Sequence, residues 1–364
     1  MLRMTEYVRQ ILSNKEAKGP SEGVTLIWNL TNLCNLSCKH CYSSANLMRE
    51  EELETEEVWR LIPKLKDVGV RAVILSGGEP LLREDIFDIA EAIKYYGLKT
   101  YLSTNGLLVD ERKIERIRSS FEYVGISIDG EPTLHDSFRG KKGAFERSMK
   151  ALRLLMAGGV KVGLRFTLTE ANYASLPFIF RLTEREAIPR IYISHLVYSG
   201  RGRALSRLPK ELYLEAMEHL LQKVFYYIEN KVSIEVVTGN NDADAVLLLR
   251  EFGRRYPELS GMLYERLKQW GGNQAGVRLM NINFRGEVRP DPFFPTTLGN
   301  VREKDLEEIW NSNGLLSFLR QRPRRLKGRC GTCSYIDICN GNSRARAYAV
   351  YNDYLAEDPA CYIS

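Results

Sequence analysis

From Val24 onward, apolar stretches of strand length alternate with amphipathic stretches of helix length. The runs at 24–30 (VTLIWNL), 71–77 (RAVILSG), 99–105 (KTYLSTN), 123–129 (YVGISID), 161–168 (KVGLRFTL) and 190–197 (RIYISHLV) are rich in β-branched and aromatic residues. Each is predicted to be a buried parallel strand. Between them, 55–69, 85–97 and 143–159 carry apolar residues at spacings of three and four with glycine at the exit, the pattern of helices packed by one face. Six β/α units in a row predict a parallel sheet with helices outside it, wound as a partial barrel or as a doubly wound sheet. In both, the functional edge lies at the C-terminal ends of the strands. A long helix is expected over 209–231 and a further strand over 233–240. The alternation then fades into a stretch rich in Gly, Asn and Pro that runs to about residue 300. The expected organisation is an N-terminal extension (1–22), a barrel (23–240), and a linker with a loop-rich module (241–364).

A chain of 364 residues with 44% apolar residues has room for one large domain, or a large and a small one. No apolar run reaches the ~20 residues a membrane span needs, and the first 20 residues contain no apolar signal core. A soluble, cytoplasmic protein is expected. The net charge of +6 is spread out, with small basic clusters at 200–203 and 322–329. These read as solvated faces, with no nucleic-acid partner.

The seven cysteines change the picture, because they fall into two sets: Cys34, Cys38 and Cys41, then Cys330, Cys333, Cys339 and Cys361. A reducing compartment argues against disulfides. The first set, C-x3-C-x2-C, directly follows the first predicted strand. Three thiolates fall one short of the closed tetrahedron of structural zinc. His40, placed between two of them, is sterically awkward as a fourth ligand. Three thiolates suit a [4Fe-4S] cluster whose fourth iron stays open to a small molecule. The second set supplies four thiolates, which fit either zinc or a fully ligated cluster.

With His40 in the aromatic slot of C-x3-C-x-aromatic-C, the first set resembles the signature of the radical S-adenosylmethionine (SAM) superfamily. Gly77-Gly78-Glu79-Pro80 resembles that family's GGEP motif, which implies that Glu79 and nearby backbone bind the methionine ammonium of SAM. By the same resemblance Ser103, Asn105, Ser127, Asp129 and Arg165, at or near strand ends, would hold the ribose hydroxyls and the carboxylate of SAM. The implied fold is an α/β, partial (β/α)6 TIM-like barrel. The implied chemistry is one-electron cleavage of SAM to a 5′-deoxyadenosyl radical, which takes hydrogen from an unactivated C–H bond. The second set resembles the SPASM extension of radical SAM enzymes. Asp291 and Ser343 stand where that pattern has further cysteines, which implies one auxiliary [4Fe-4S] cluster rather than two.

The stretches HDSFRGKKGAFERSM, YISHLVYSGRG, IEVVTGNNDADA and CGTCSYIDICNGNSRARA resemble the radical SAM proteins that modify tetrapyrroles. Two types share this layout. The NirJ type, of heme d1 biosynthesis, replaces two propionate side chains of didecarboxysiroheme; the AhbC type removes two acetates from it. VVTGNNDAD and ISHLVYSGRG favour the NirJ type. A SPASM-type peptide-maturing enzyme is a more distant reading, set back by the small number of auxiliary cysteines. An iron tetrapyrrole substrate would give Arg201, Arg203 and Arg344 carboxylates to pair with. It would also make pocket residues of His195 and Tyr198. A ferredoxin or flavodoxin is the expected electron donor.

Overall fold

The structure is a computed structural model that describes residues 1–13, 23–46 and 51–363. Eleven strands among these form one sheet: β1 (Leu2–Arg3), β2 (Val24–Thr31), β3 (Val70–Gly77), β4 (Lys99–Thr104), β5 (Tyr123–Ser127), β6 (Val162–Leu168), β7 (Arg190–His195), β8 (Glu235–Gly239), β9 (Leu279–Ile282), β10 (Glu287–Arg289) and β11 (Gly299–Asn300). Their order is β1-β8-β7-β6-β5-β4-β3-β2-β9-β10-β11. Strands β2 to β8 pair in parallel in their order along the chain. Each crossover adds the next strand on the same side, so right-handed connections place all the helices on one face. This is barrel winding; a doubly wound sheet would reverse direction part-way. Because β1 and β11 end the sheet without pairing to each other, the barrel is open.

The strand residues facing the helices are apolar and buried, among them Val73, Leu75, Val124, Ile126, Leu164, Phe166, Ile191 and Ile193. The alternate positions carry large polar side chains, and neighbouring glycines make room for them. A Cβ at Gly125 would lie 2.6 Å from the Arg165 side chain, and one at Gly163 or Gly239 would collide with the hydroxyl of Tyr123 or Tyr192.

Two expectations are corrected. The supposed loop-rich stretch after residue 240 contains helices at Asp244–Arg255 and Ser260–Trp270. Their buried Ala245, Leu248, Leu249 and Phe252, then Leu263, Leu267 and Trp270, recur at helical spacing. The start of the chain is also built into the barrel. β1 pairs antiparallel with β8, and the helix Met4–Leu12 buries Tyr7, Val8 and Ile11; residues 14–22 of the expected extension lie outside the described residues. The C-terminal third joins the other end of the sheet, where β9 runs parallel to β2 from Thr25–Leu279 to Trp28–Ile282. Among the described residues no helix is long and apolar enough to cross a membrane.

Candidate functional site

The loop after β2 carries the first cysteines, with Cys34 and Cys38 buried and Cys41 half-buried. It is clamped from two sides. Lys39 N donates to Phe138 O (2.9 Å) and Ser37 N to Arg139 O (3.2 Å). On the other side Arg201 donates from its backbone to Cys41 O (2.9 Å), from Nε to Cys38 O (2.8 Å) and from Nη1 to Ala45 O (2.7 Å). Arg201, expected at a substrate carboxylate, therefore braces the cysteine loop. Tyr42, which sequence reasoning missed, reaches from this loop to Asn29 Oδ1 (3.0 Å) at the end of β2 and lies 3.4 Å from Ser76 Oγ of β3. Burial pushes the Cys34 thiol up to about 12 and raises that of Cys38, so metal binding here is coupled to proton release.

The GGEP turn packs against the same loop. Gly78 N donates to Thr31 O (2.7 Å) and Glu79 N to Leu33 O (2.9 Å); a Cβ at Gly78 would collide with Leu33 O. Gly77, at φ +136°, adopts a backbone that L side chains rarely enter. The Glu79 carboxylate, with no exposed surface, accepts from Thr104 Oγ1 (2.7 Å), Asn105 N (2.8 Å) and Leu81 N (3.1 Å). Burial raises its pKa while these donors oppose the rise. Its side chain thus organises the turn, whose backbone is the part expected beside it at the methionine ammonium of SAM. Pro80 opens the short helical turn Pro80–Leu82 that follows.

The other expected SAM contacts divide into two groups. Ser103, Ser127 and Arg165 are half-buried on β4, β5 and β6, with Arg165 Nη1 donating to Ser103 Oγ (2.8 Å) and the guanidinium 5.3 Å from the centre of the Tyr192 ring. Asn105 and Asp129 are buried and bound to protein. Asn105 Nδ2 donates to Asn35 Oδ1 (2.7 Å); Asp129 pairs with Arg139 at 2.5 Å and accepts from Thr167 N (3.1 Å). His40 stacks on Phe138, with ring centres 4.5 Å apart, and burial lowers its pKa to about 4.

His195, at the end of β7, has its Nε2 3.0 Å from Asp244, which also accepts from the Tyr362 hydroxyl. Its side chain is fully buried, so it does not face a pocket as expected. Arg344 is likewise buried and donates to the carbonyls of Gly341, Tyr354 and Ala356. Tyr198 is buried, and its carbonyl accepts from Arg203 Nε (3.3 Å). Of the three candidate arginines only Arg203 is exposed. A substrate carboxylate and a buried carbonyl attract the same side chain, and composition does not distinguish them.

Cys330, Cys333, Cys339 and Cys361 line one cavity with Tyr335, Ile336 and Asp358. A single zinc ion needs its donors ~2.3 Å from one point. Among the described residues no three His, Cys, Asp or Glu side chains are placed for that. An iron–sulfur cluster spreads its thiolates over separate irons and fits the donor set better. The loop at 239–242 ties this module to β8: Asp242 N donates to Asn342 Oδ1 (2.8 Å) and Asn241 Nδ2 to Ala360 O (3.1 Å).

Asp291 is buried and accepts from Phe293 N (2.8 Å) and Phe294 N (3.2 Å), while burial pushes its pKa up to about 7. The folded state therefore holds a proton that the unfolded chain releases near pH 4, and this contribution to stability is lost as pH rises through about 7. Asp291→Asn is expected to raise stability by about 4 kcal/mol at pH 8 and by only about 1–2 kcal/mol at pH 5. Urea denaturation of the metal-free protein at both values measures this. A variant less stable at pH 8 would refute it.

Residues 28–181 match the radical SAM superfamily, and residues 274–334 match SPASM, an iron–sulfur cluster-binding domain. Over its full length the chain is 40% identical to pre-heme d1 synthase of Dinoroseobacter shibae, spanning 93% of that protein. The chain is a radical SAM enzyme with a SPASM domain. This radical SAM enzyme is also 38% identical to Fe-coproporphyrin III synthase of Methanosarcina barkeri, over 93% of the chain and 88% of the relative. Among solved structures it shares its fold with SuiB of Streptococcus suis bound to S-adenosylmethionine: TM-score 0.72, 20% identity, covering 94% of this chain and 77% of SuiB. Its cofactors are SAM and [4Fe-4S] clusters. Together these supply one-electron cleavage of SAM.

Proposed function

We propose that this radical SAM enzyme acts on the carboxylate-bearing side chains of didecarboxysiroheme, replacing two propionates in a heme d1-type branch of tetrapyrrole synthesis. The observation that carries this reading is the full-length similarity to pre-heme d1 synthase, combined with two cysteine sets at opposite ends of the chain. Cys34, Cys38 and Cys41 hold the SAM-binding cluster, and their count leaves one iron open to SAM. Cys330, Cys333, Cys339 and Cys361 hold a fully ligated auxiliary cluster suited to electron relay. Ser103, Ser127 and Arg165, inside the barrel at its functional edge, are the polar groups available to SAM. Arg203 is the candidate partner for a substrate carboxylate, and a ferredoxin or flavodoxin supplies the electrons.

The 38% identity to Fe-coproporphyrin III synthase favours a second reading, removal of two acetates from the same substrate. The two differ in which edge of the macrocycle faces the radical carbon, a matter of pocket shape. Anaerobic turnover with didecarboxysiroheme, followed by mass analysis, separates them. Changes at two propionates support the first reading and loss of two acetates the second. SAM cleavage without any change in the tetrapyrrole would refute this substrate class.

A further inference from the structure

We propose that Arg139 is a positioning residue that sets the reduction potential of the SAM-binding cluster through the Cys38 sulfur. This rests on the assignment of Cys34, Cys38 and Cys41 to that cluster.

Arg139 closes the helix Pro132–Arg139, whose end runs beside residues 37–39. The two backbone hydrogen bonds there fix its main chain relative to Cys38. Gly140 follows in the left-handed region (φ +70°), and a Cβ on it would collide with the Ser37 hydroxyl, so the close approach requires glycine. The Arg139 side chain is only 10% exposed. Its Nη1 lies 3.5 Å from Cys38 Sγ as a donor, and its Nη2 is 2.5 Å from Asp129. Asp129 is held in turn by Thr167 N, and its own backbone N–H donates to His135 Nδ1 (3.0 Å). Of the other cations at this loop, Arg201 and Lys141 spend their side-chain bonds on carbonyls and Lys39 donates to the Ser137 hydroxyl, none to the Cys38 thiol.

The result is a buried dipole with its positive end on a cluster thiolate and its negative end one side chain away. Reduction adds negative charge to a cluster. A donor and a cation at its sulfur stabilise the reduced form and raise the potential. Burial leaves that interaction weakly screened. Asp129 opposes it from further off. The two members of the pair must therefore shift the potential in opposite directions.

The test is an EPR-monitored redox titration of the reconstituted enzyme without SAM, following the cluster signal that SAM perturbs when added separately. Arg139→Gln should lower the reduced-to-oxidised ratio at a fixed potential by tenfold or more, equal to about 59 mV for one electron. Asp129→Asn should raise it. Arg139→Gln leaves Asp129 buried without its cation, so Arg139→Gln/Asp129→Asn, which removes both charges, is titrated alongside; its potential should fall between wild type and Arg139→Gln. Arg139→Lys should recover part of the loss. Potentials that do not move, or that move the same way in Arg139→Gln and Asp129→Asn, would overturn the proposal. A SAM-responsive signal that survives Cys38→Ala would instead overturn the ligand assignment beneath it.

Discussion

Cys38→Ala is expected to abolish 5′-deoxyadenosine formation from SAM and dithionite, with iron falling from about eight to about four per chain. Cys38 sits at the centre of the clamped loop, with its carbonyl bound by Arg201 and its sulfur facing Arg139. Removing it leaves two thiols, too few to retain a cluster. The loop should survive, because its hydrogen bonds to Phe138, Arg139 and Arg201 are made largely by backbone groups on the loop side. Cys34→Ala and Cys41→Ala should behave alike. Cys330→Ala should keep SAM cleavage while losing tetrapyrrole turnover. Liquid chromatography of the nucleoside products and a colorimetric iron count measure both effects. Full 5′-deoxyadenosine production by Cys38→Ala would be incompatible with the assignment.

The second large effect is expected at Arg346. Arg346 and Asp358 have no exposed side-chain surface, and their contact is bidentate, with Nε 2.7 Å from Oδ1 and Nη2 2.8 Å from Oδ2. Nη1 of Arg346 donates to Leu196 O (3.1 Å), just past β7. Asp358 also accepts from Ser343 N and Ala360 N, both at 2.8 Å, so one ion pair joins the barrel edge to the segment that carries Cys361. Arg346→Met strands a buried carboxylate and should destabilise the protein by about 3–5 kcal/mol. The auxiliary iron should be lost first, leaving about four irons per chain and an intact SAM-responsive signal. Arg346→Met/Asp358→Asn should recover part of the stability. Denaturant unfolding with iron analysis decides the matter; an unchanged midpoint would show that the pair does not carry this joint.

The parallel strands were legible because buried strands read as continuous apolar runs, and the two cysteine sets because spacing alone separates them. The helices at 244–270 were missed because the regular β/α alternation ends before them, although AVLLLREF carries a helical stripe. The protein partners of Glu79, Arg201 and Arg344 were hidden for one physical reason. Each is a charged side chain whose partners are largely backbone groups brought close by the fold, and a linear sequence does not show which carbonyls or N–H groups converge. Arg139 lies 101 positions from Cys38 and was hidden in the same way. Its signal was the RG pair at the end of HDSFRG, where a glycine directly after an arginine marks a close backbone approach.

The pairing of β9 with β2 also bears on the order in which the enzyme is made. A chain that leaves the ribosome from its N-terminus carries β2 as an uncovered edge until residue 279 and its neighbours have emerged. The loop bearing Cys34, Cys38 and Cys41 hangs from that edge strand. The far edge waits as well, since β1 finds β8 more than 200 residues later. The nascent barrel is thus left open on both sides during synthesis, and the strand that carries the first cysteine loop gains its second neighbour only once the C-terminal third has emerged.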